Sequence, residues 1–119
     1  DSKRIEATLN RFGDRFKFRI YTIQEIKKCD SRLNYVDSYA RRFAAKEACS
    51  KALGTGFRKG VFYKDIEVVN LRSGKPTLIL KGGALKQFKL ITKNNKSAKI
   101  DLSMTDDNKL ALAIVIISN

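Results

Sequence analysis

The sequence predicts an α+β fold in which an antiparallel sheet packs against one long helix and several shorter helices. Apolar residues recur at helical spacing over the first part of the chain, and the period changes to two from Ile66 onward. Two pairs of strand-like segments follow, and each pair is joined by a short connection, which favours antiparallel hairpins. With 119 residues, 43% of them apolar, we expect a single domain over residues 1–119.

Short helices are predicted within the first thirty residues. The apolar residues that set the helical spacing are Ile5, Leu9, Phe12 and Phe16. Gly13-Asp14 interrupts this pattern, so we expect a break there. Thr22 is followed three residues later by Glu25, which matches a capping box and predicts a helix to about Cys29.

The helix with the clearest limits is predicted over about 39–53. Asp37 or Ser38 would cap it, and Gly54 follows where helices often end in a left-handed residue. Strands are predicted at 66–69 and 77–80, then a short helix from Gly82-Gly83. A second hairpin completes the chain, with strands at 100–105 and 110–117 and a turn at 106–109.

Charge and composition narrow the possible functions. The chain carries 25 Lys and Arg against 12 Asp and Glu, a net charge of +13, which favours an anionic partner. It has no His, which excludes His-based zinc sites, His general bases and Ser-His-Asp triads. No apolar run approaches the roughly 20 residues of a membrane-spanning helix, and two Cys cannot build a disulfide framework. We therefore expect a soluble protein of the cytoplasm, a reducing compartment.

One segment, residues 41–56, concentrates cations, hydroxyls and small residues around a single acid, Glu47. Glu47 and Lys51 are i,i+4 neighbours, and one interpretation is an ion pair on a solvated helix, worth about 0.3–0.5 kcal/mol. The other is that Glu47 holds a divalent cation while the cations neutralise phosphates, as phosphoryl transfer requires. Spacing alone leaves both interpretations open.

The same segment resembles the signature of the holo-acyl-carrier-protein synthases, the small bacterial-type 4′-phosphopantetheinyl transferases. The resemblance is carried by residues 42–48 and 50–56, and matching pieces follow the family's order at 4–6, 11–16, 65–68, 74–76 and 102–105. It implies the 4′-phosphopantetheinyl transferase fold and a homotrimer with sites between subunits. It also implies transfer of 4′-phosphopantetheine from coenzyme A to a serine of apo acyl carrier protein, for fatty acid biosynthesis, with release of 3′,5′-ADP.

The resemblance also implies roles for single residues. Glu47 matches the ligand of Mg²⁺, and Lys51 matches the lysine beside the phosphates. Asp101 stands where many members carry His, and is expected either as a base towards the acceptor serine or as a plain surface carboxylate. Coenzyme A is expected to contact Arg42, Lys46, Ser50, Lys51, Gly54, Thr55, Gly56, Gly74, Lys75, Pro76, Ser103 and Thr105. Docking of the acidic carrier protein is expected at Arg4, Arg11, Arg15 and Lys17.

Two rival functions come from other classes. The family's second metal ligand is an Asp on an N-terminal strand that would precede residue 1, so we expect the first strand to be missing from this chain. Without that Asp, the chain could be an inactive trimeric interaction subunit. A nucleic-acid-binding module would suit the charge of +13, but the sequence has no helix-turn-helix spacing, no aromatic and basic strand motif and no zinc framework. We therefore expect neither nucleic acid nor membrane as a partner.

The remaining groups are assigned to the core or to solvated surface. Cys49, among Ala residues, is expected to pack as a small apolar residue. The core is also expected to hold Phe12, Phe16, Phe43, Phe62 and Phe88. Six lysines and no acid occupy residues 81–99, and we expect them to form a solvated face.

Overall fold

The computed structural model describes residues 2–107 and 110–119. Its helices are α1 (Ser2–Phe12), α2 (Asp14–Ile20), α3 (Ile23–Asp30), α4 (Tyr35–Ala52) and α5 (Gly82–Ile91). Its strands are β1 (Ile66–Asn70), β2 (Pro76–Leu80), β3 (Lys99–Asp107) and β4 (Leu110–Ser118), and a 3₁₀ turn, Tyr63–Asp65, precedes β1. The strands β1 and β2 form one antiparallel pair, and β3 and β4 form another. The predicted α+β class is confirmed.

A glycine separates α1 from α2, as predicted. Gly13 has a φ of +54°, in the left-handed region that glycine adopts at little cost, and its amide donates to the Leu9 carbonyl at 2.8 Å. Ile5 and Leu9 are buried on the inner face of α1. Phe12 is exposed at the end of α1, beneath the guanidinium of Arg11, so its assignment to the core is wrong.

The capping box at the start of α3 is confirmed. The Thr22 hydroxyl accepts a hydrogen bond from the Glu25 amide at 3.2 Å, and Glu25 Oε1 accepts from the Thr22 amide at 2.9 Å. Glu25 is also almost fully buried, which a capping residue at a helix surface would not be.

The long helix α4 begins four residues earlier than predicted, after Asn34 rather than after Asp37 or Ser38. Asp37 lies in the first turn, where its negative charge interacts favourably with the positive end of the helix dipole. The Ser38 hydroxyl is buried and bonds Arg42 and Cys29 instead of capping. The predicted end is confirmed, since Gly54 follows the helix with a φ of +86°.

The β3–β4 pair has an inner and an outer face. Its inner face packs against α4 through alternate residues, namely Ile100, Leu102, Met104, Ala113, Val115 and Ile117. Its outer face carries Asp101, Ser103 and Thr105, which lie opposite Ile116, Ile114 and Leu112. The core side of α4 supplies Ala45 and Cys49, and Leu53 follows at its end, so Cys49 packs as predicted.

The second hairpin differs from the prediction at its turn. Asp106 and Asp107 belong to β3 and pair with Ala111 and Leu110, so the expected turn at 106–109 starts too early. Residues 108 and 109 lie outside the described residues. Asp106 forms an ion pair with Arg41 of α4, which holds this end of the strand against the helix.

A second core lies between α1, α2, α3 and the first half of α4. It contains two buried tyrosines, and the hydroxyl of Tyr21 donates to the carbonyl of Tyr39 at 2.9 Å. Phe16, Phe43 and Phe88 are partly buried against the two cores, whereas Phe62 is exposed before the 3₁₀ turn, contrary to expectation. Over residues 2–107 and 110–119, no helix combines the length and apolarity needed to cross a membrane.

Candidate active site

Glu47 lies in a groove of about 300 Å³ between α1, α4 and β4, which we call the helix groove. Its walls include the apolar Ile5, Phe16 and Phe43, with Arg4 and Thr8 on the α1 side. Glu47 is half-buried, and within the described chain no ion pair or side-chain hydrogen bond joins its carboxylate to another residue. The solvated Glu47–Lys51 pair considered from spacing is therefore absent from the described residues, and the carboxylate is available to a ligand.

The end of α4 presents Lys51 to solvent next to a glycine-containing loop. The Ser50 hydroxyl is buried and donates to the Glu47 carbonyl at 2.7 Å, so it supports the helix end instead of facing outward. Gly54 and Gly56 have φ values of +86° and +59° with open space around them. Their backbone conformation favours glycine, and a ligand could approach the loop at this point. The Thr55 hydroxyl donates to the Gly56 carbonyl at 2.8 Å.

Two cations expected to contact coenzyme A lie inside the protein. Lys46 is fully buried, with its ammonium 2.8 Å from Glu25 Oε1 and bonded to the Tyr63 and Ile66 carbonyls. Arg42 is also buried and donates to the Ser38 hydroxyl at 2.7 Å, while its Nε has no partner among the described residues. This burial contradicts the expected contact with phosphates.

The physical reason is the geometry of α4. Ser38, Arg42 and Lys46 follow one another at four-residue intervals, which places them on the helix face that packs inward. Desolvation lowers the pKa of Lys46 below its ordinary value, and the charge of Glu25 opposes that decrease. The four-residue spacing is the signal in the sequence that distinguishes these buried residues from Glu47, which lines the helix groove.

The first hairpin and β3 form a second depression of about 480 Å³, which we call the strand cleft. It brings together four residues expected near coenzyme A or the acceptor serine, namely Lys75, Pro76, Asp101 and Ser103. Lys75 Nζ lies 4.0 Å from Asp101 Oδ1, and the two side chains are 60% and 58% exposed. Gly74 has a φ of +91° in the turn before Lys75, and Thr105 lies further along the same face of β3.

The helix groove and the strand cleft lie on opposite faces of the β3–β4 pair. Ala111 of β4 lines the helix groove, whereas Ile114 and Ile116 line the strand cleft. Because successive side chains of a strand point to opposite faces, Ala111 of β4 lies on the face opposite to that of Ile114 and Ile116. Glu47 and Asp101 are therefore not brought together within one chain.

The basic surface of α1 and α2 has an apolar component that the sequence did not indicate. A shallow depression of about 260 Å³ is lined by Thr8, Phe12, Arg15, Phe16 and Arg19. Arg15 is exposed in this depression and Arg11 is exposed beside it, and Arg4 of α1 lines the helix groove. Lys17 is less accessible, because it pairs with Asp30 at 3.2 Å and lies over the Tyr39 ring.

The residues that the structure describes do not by themselves complete a metal site. Over residues 2–107 and 110–119, no three His, Cys, Asp or Glu side chains come together as a metal site. Mg²⁺ in phosphate-transfer enzymes commonly uses one or two carboxylates, with waters and substrate oxygens completing its shell. The free carboxylate of Glu47 in an open groove fits that arrangement as one ligand.

Comparisons with known proteins give a consistent result. A family model described as the 4′-phosphopantetheinyl transferase superfamily matches residues 1–115. The chain is 55% identical over 117 residues to a holo-[acyl-carrier-protein] synthase of Phenylobacterium zucineum, covering 98% of this chain and 85% of the relative. It is 57% identical over 118 residues to the enzyme of that name from Parvibaculum lavamentivorans, covering 99% and 89%.

Solved structures agree with the sequence relatives. The crystal structure of holo-[acyl-carrier-protein] synthase from Neisseria meningitidis superposes with a TM-score of 0.84 at 33% identity, covering 99% of this chain and 91% of that one. The Helicobacter pylori synthase in complex with coenzyme A superposes with a TM-score of 0.81 at 29% identity, covering 98% and 93%.

Proposed function

The chain belongs to the 4′-phosphopantetheinyl transferase superfamily, and we propose that it transfers 4′-phosphopantetheine from coenzyme A to a serine of apo acyl carrier protein. The curated relatives named above carry the name of this enzyme, and one similar structure was solved with coenzyme A. The structural observation that carries the proposal is the carboxylate of Glu47 in the helix groove, which has no side-chain partner among the described residues. In the cell, the product would be holo carrier protein for fatty acid biosynthesis in the cytoplasm.

The reaction exchanges one phosphorus–oxygen bond for another. The serine oxygen bonds to the phosphorus that carries pantetheine, the bond from that phosphorus to the bridging oxygen breaks, and 3′,5′-ADP leaves. When bound, Mg²⁺ would neutralise the diphosphate and assist the leaving group. Glu47 would hold it, and the exposed ammonium of Lys51 would stabilise negative charge on the departing phosphate. Asp101 is the proposed acceptor of the serine proton.

We also propose that a working site forms between copies of the chain, in a homotrimer. The helix groove and the strand cleft face opposite sides of the β3–β4 pair, so a neighbouring copy is needed to join them. The outer face of β4 supports this assembly, because its row of Leu110, Leu112, Ile114 and Ile116 is exposed. Exposed apolar patches of this kind are typical of surfaces that contact another protein chain.

The carrier protein would dock on α1 and α2. Acyl carrier proteins are acidic, and exposed Arg11 and Arg15 flank the apolar ring of Phe12 on this surface. Such rim charges mainly raise the association rate and make binding sensitive to salt. A partner helix with acidic and apolar residues would match both the charges and the ring.

Mass spectrometry of the carrier protein tests the proposed reaction. The chain is incubated with MgCl₂, coenzyme A and apo carrier protein, and we expect the carrier to gain the mass of one phosphopantetheine while 3′,5′-ADP accumulates. A carrier with its acceptor serine replaced by alanine is the matched control and should stay unmodified. If the intact carrier also stays unmodified while an established synthase modifies it in parallel, the proposal is wrong.

A further inference from the structure

A fully buried ion pair lies immediately before Glu47 in α4. The ammonium of Lys46 is 2.8 Å from Glu25 Oε1, and neither side chain is exposed. The same ammonium donates to the Tyr63 carbonyl at 3.0 Å and to the Ile66 carbonyl. A lysine ammonium has three hydrogens, so all of its hydrogen-bonding capacity is used inside the protein.

Both carboxylate oxygens of Glu25 also have hydrogen-bond partners inside the protein. Its Oε1 also accepts from the Thr22 amide at 2.9 Å, and its Oε2 accepts from the Val68 amide at 2.9 Å. The pair therefore ties four segments to one point, namely the start of α3, the middle of α4, the 3₁₀ turn and β1. Each tie to the backbone is directional, unlike the contact of one apolar side chain with another.

We propose that Glu25 and Lys46 are positioning residues for Glu47, an inference that rests on the function proposed above. Consecutive residues of an α-helix differ by about 100° in direction. With Lys46 fixed inward on two carbonyls, α4 cannot rotate or slide without breaking those bonds, and Glu47 is held towards the helix groove. The pair thereby determines where the metal-binding carboxylate stands.

A buried ion pair need not serve stability. Apolar pairs of similar volume are often as stable or more stable, because burying two charges costs solvation free energy. What an apolar pair cannot supply is the fixed set of donors and acceptors that locates α4 against β1. A role in positioning would therefore persist as a defect in a variant whose fold has been made stable.

The hydrogen bonds also determine which position carries the acid and which carries the base. The Thr22 and Val68 amides need acceptors at position 25, and the Tyr63 and Ile66 carbonyls need donors at position 46. The exchanged pair E25K/K46E would restore opposite charges. It would, however, place an ammonium against the two amide donors and a carboxylate against the two carbonyl acceptors. We expect it to restore neither stability nor activity.

The decisive variant is E25Q/K46M, which removes both charges and nearly conserves volume. Residues that fix the orientation of a metal ligand typically affect metal affinity about 10–100-fold, and we expect the Mg²⁺ concentration for half-maximal transfer to rise by that factor. The KM for carrier protein should stay near that of the wild type, because docking uses α1 and α2. Lys81→Met is the matched control, since its exposed ammonium pairs with Glu67 at 3.4 Å and touches neither position.

A binding readout separates this inference from the proposed reaction. The rise in melting temperature caused by Mg²⁺ with coenzyme A should shrink in E25Q/K46M and remain in Lys81→Met. If the wild type transfers nothing, the proposed function fails, whereas the melting shifts still test positioning. A folded E25Q/K46M with the Mg²⁺ dependence and melting shift of the wild type would overturn the inference.

A milder variant covers the case in which E25Q/K46M does not fold. Glu25→Asp keeps the charge but withdraws the carboxylate by one methylene from the amides and the ammonium. The same two readouts should change in the same direction by a smaller factor. Wild-type values for both in Glu25→Asp, with Lys46 retained, would equally overturn the inference.

Discussion

Two of the Lys–carboxylate pairs among the described residues lie in opposite surroundings. Lys46 and Glu25 meet at 2.8 Å with both side chains fully buried, whereas Lys75 and Asp101 stand 4.0 Å apart with more than half of each side chain exposed. The inner pair is bonded to four backbone groups, while water can reach the outer pair freely. The inner pair can therefore hold geometry, and the outer pair can exchange its partner for a ligand.

The same difference in burial distinguishes two charged residues that are neighbours in one motif. Lys46 and Glu47 are adjacent in the sequence, but α4 turns the lysine inward and leaves the glutamate in the helix groove. A charged residue within a functional motif is thus not by itself a ligand contact. Each of the following changes tests whether buried and exposed charges behave as differently as this comparison requires.

The largest effect on stability is expected from Glu25→Ala. It leaves the Lys46 ammonium buried without its counter-charge and the Val68 amide without an acceptor, which costs about 3–5 kcal/mol of the free energy of unfolding. Denaturant titration followed by circular dichroism measures the change. A loss below about 1 kcal/mol would show that the pair is not desolvated as described.

The largest effect on activity is expected from Glu47→Gln. Because its carboxylate has no partner among the described residues, its removal should change the free energy of unfolding by no more than about 0.5 kcal/mol. Transfer should nevertheless fall by about a hundredfold or more, since the ligand for Mg²⁺ is lost. Near-normal transfer at the Mg²⁺ concentration that half-saturates the wild type would remove Glu47 from the site.

Lys75→Ala is expected to act on binding alone. An exposed ion pair contributes about 0–1 kcal/mol, so the unfolding free energy should barely change. The KM for coenzyme A should rise several-fold, and that rise should diminish at high salt, because a surface charge is screened. The KM for carrier protein serves as the internal control, and an equal rise in both would argue against a coenzyme contact.

Near neutral pH the smallest effect is expected from the buried thiols. Burial raises the pKa of the Cys49 thiol to about 12 and also raises that of Cys29. The unfolded chain releases these protons from about pH 9 upward while the folded chain keeps them, so stability is retained below pH 9 and declines from there towards pH 12. At pH 8 a thiol reagent should label the native chain only as fast as it opens, and immediate labelling of both cysteines would contradict a closed interior.

Local features of the fold were predictable because neighbouring residues determine them. The capping box of Thr22 and Glu25, the break at Gly13 and the end of α4 at Gly54 all depend on short-range geometry. The start of α4 was missed because Ser38 has the chemistry of a cap, and only the packed structure gives its hydroxyl to Arg42.

The arrangement of the site was less accessible to sequence reasoning. The burial of Lys46 depends on which face of α4 meets β1, and that contact joins residues 20 positions apart. Residues 110–117 are apolar at every position, so no alternation revealed that β4 separates the helix groove from the strand cleft. The residues of the two depressions could be named from the resemblance, but their placement on opposite faces required the structure.

A mixing experiment tests most directly whether the transferase site is completed between copies. Glu47→Gln removes the helix-groove ligand, and K75E/S103D places negative charge where the strand cleft would meet phosphates. Each variant alone should be nearly inactive. After co-expression at equal amounts, one groove–cleft contact in four combines an intact groove with an intact cleft, so about a quarter of wild-type transfer activity should return. Mixed assemblies that remain as inactive as the separate variants would contradict a site shared between copies.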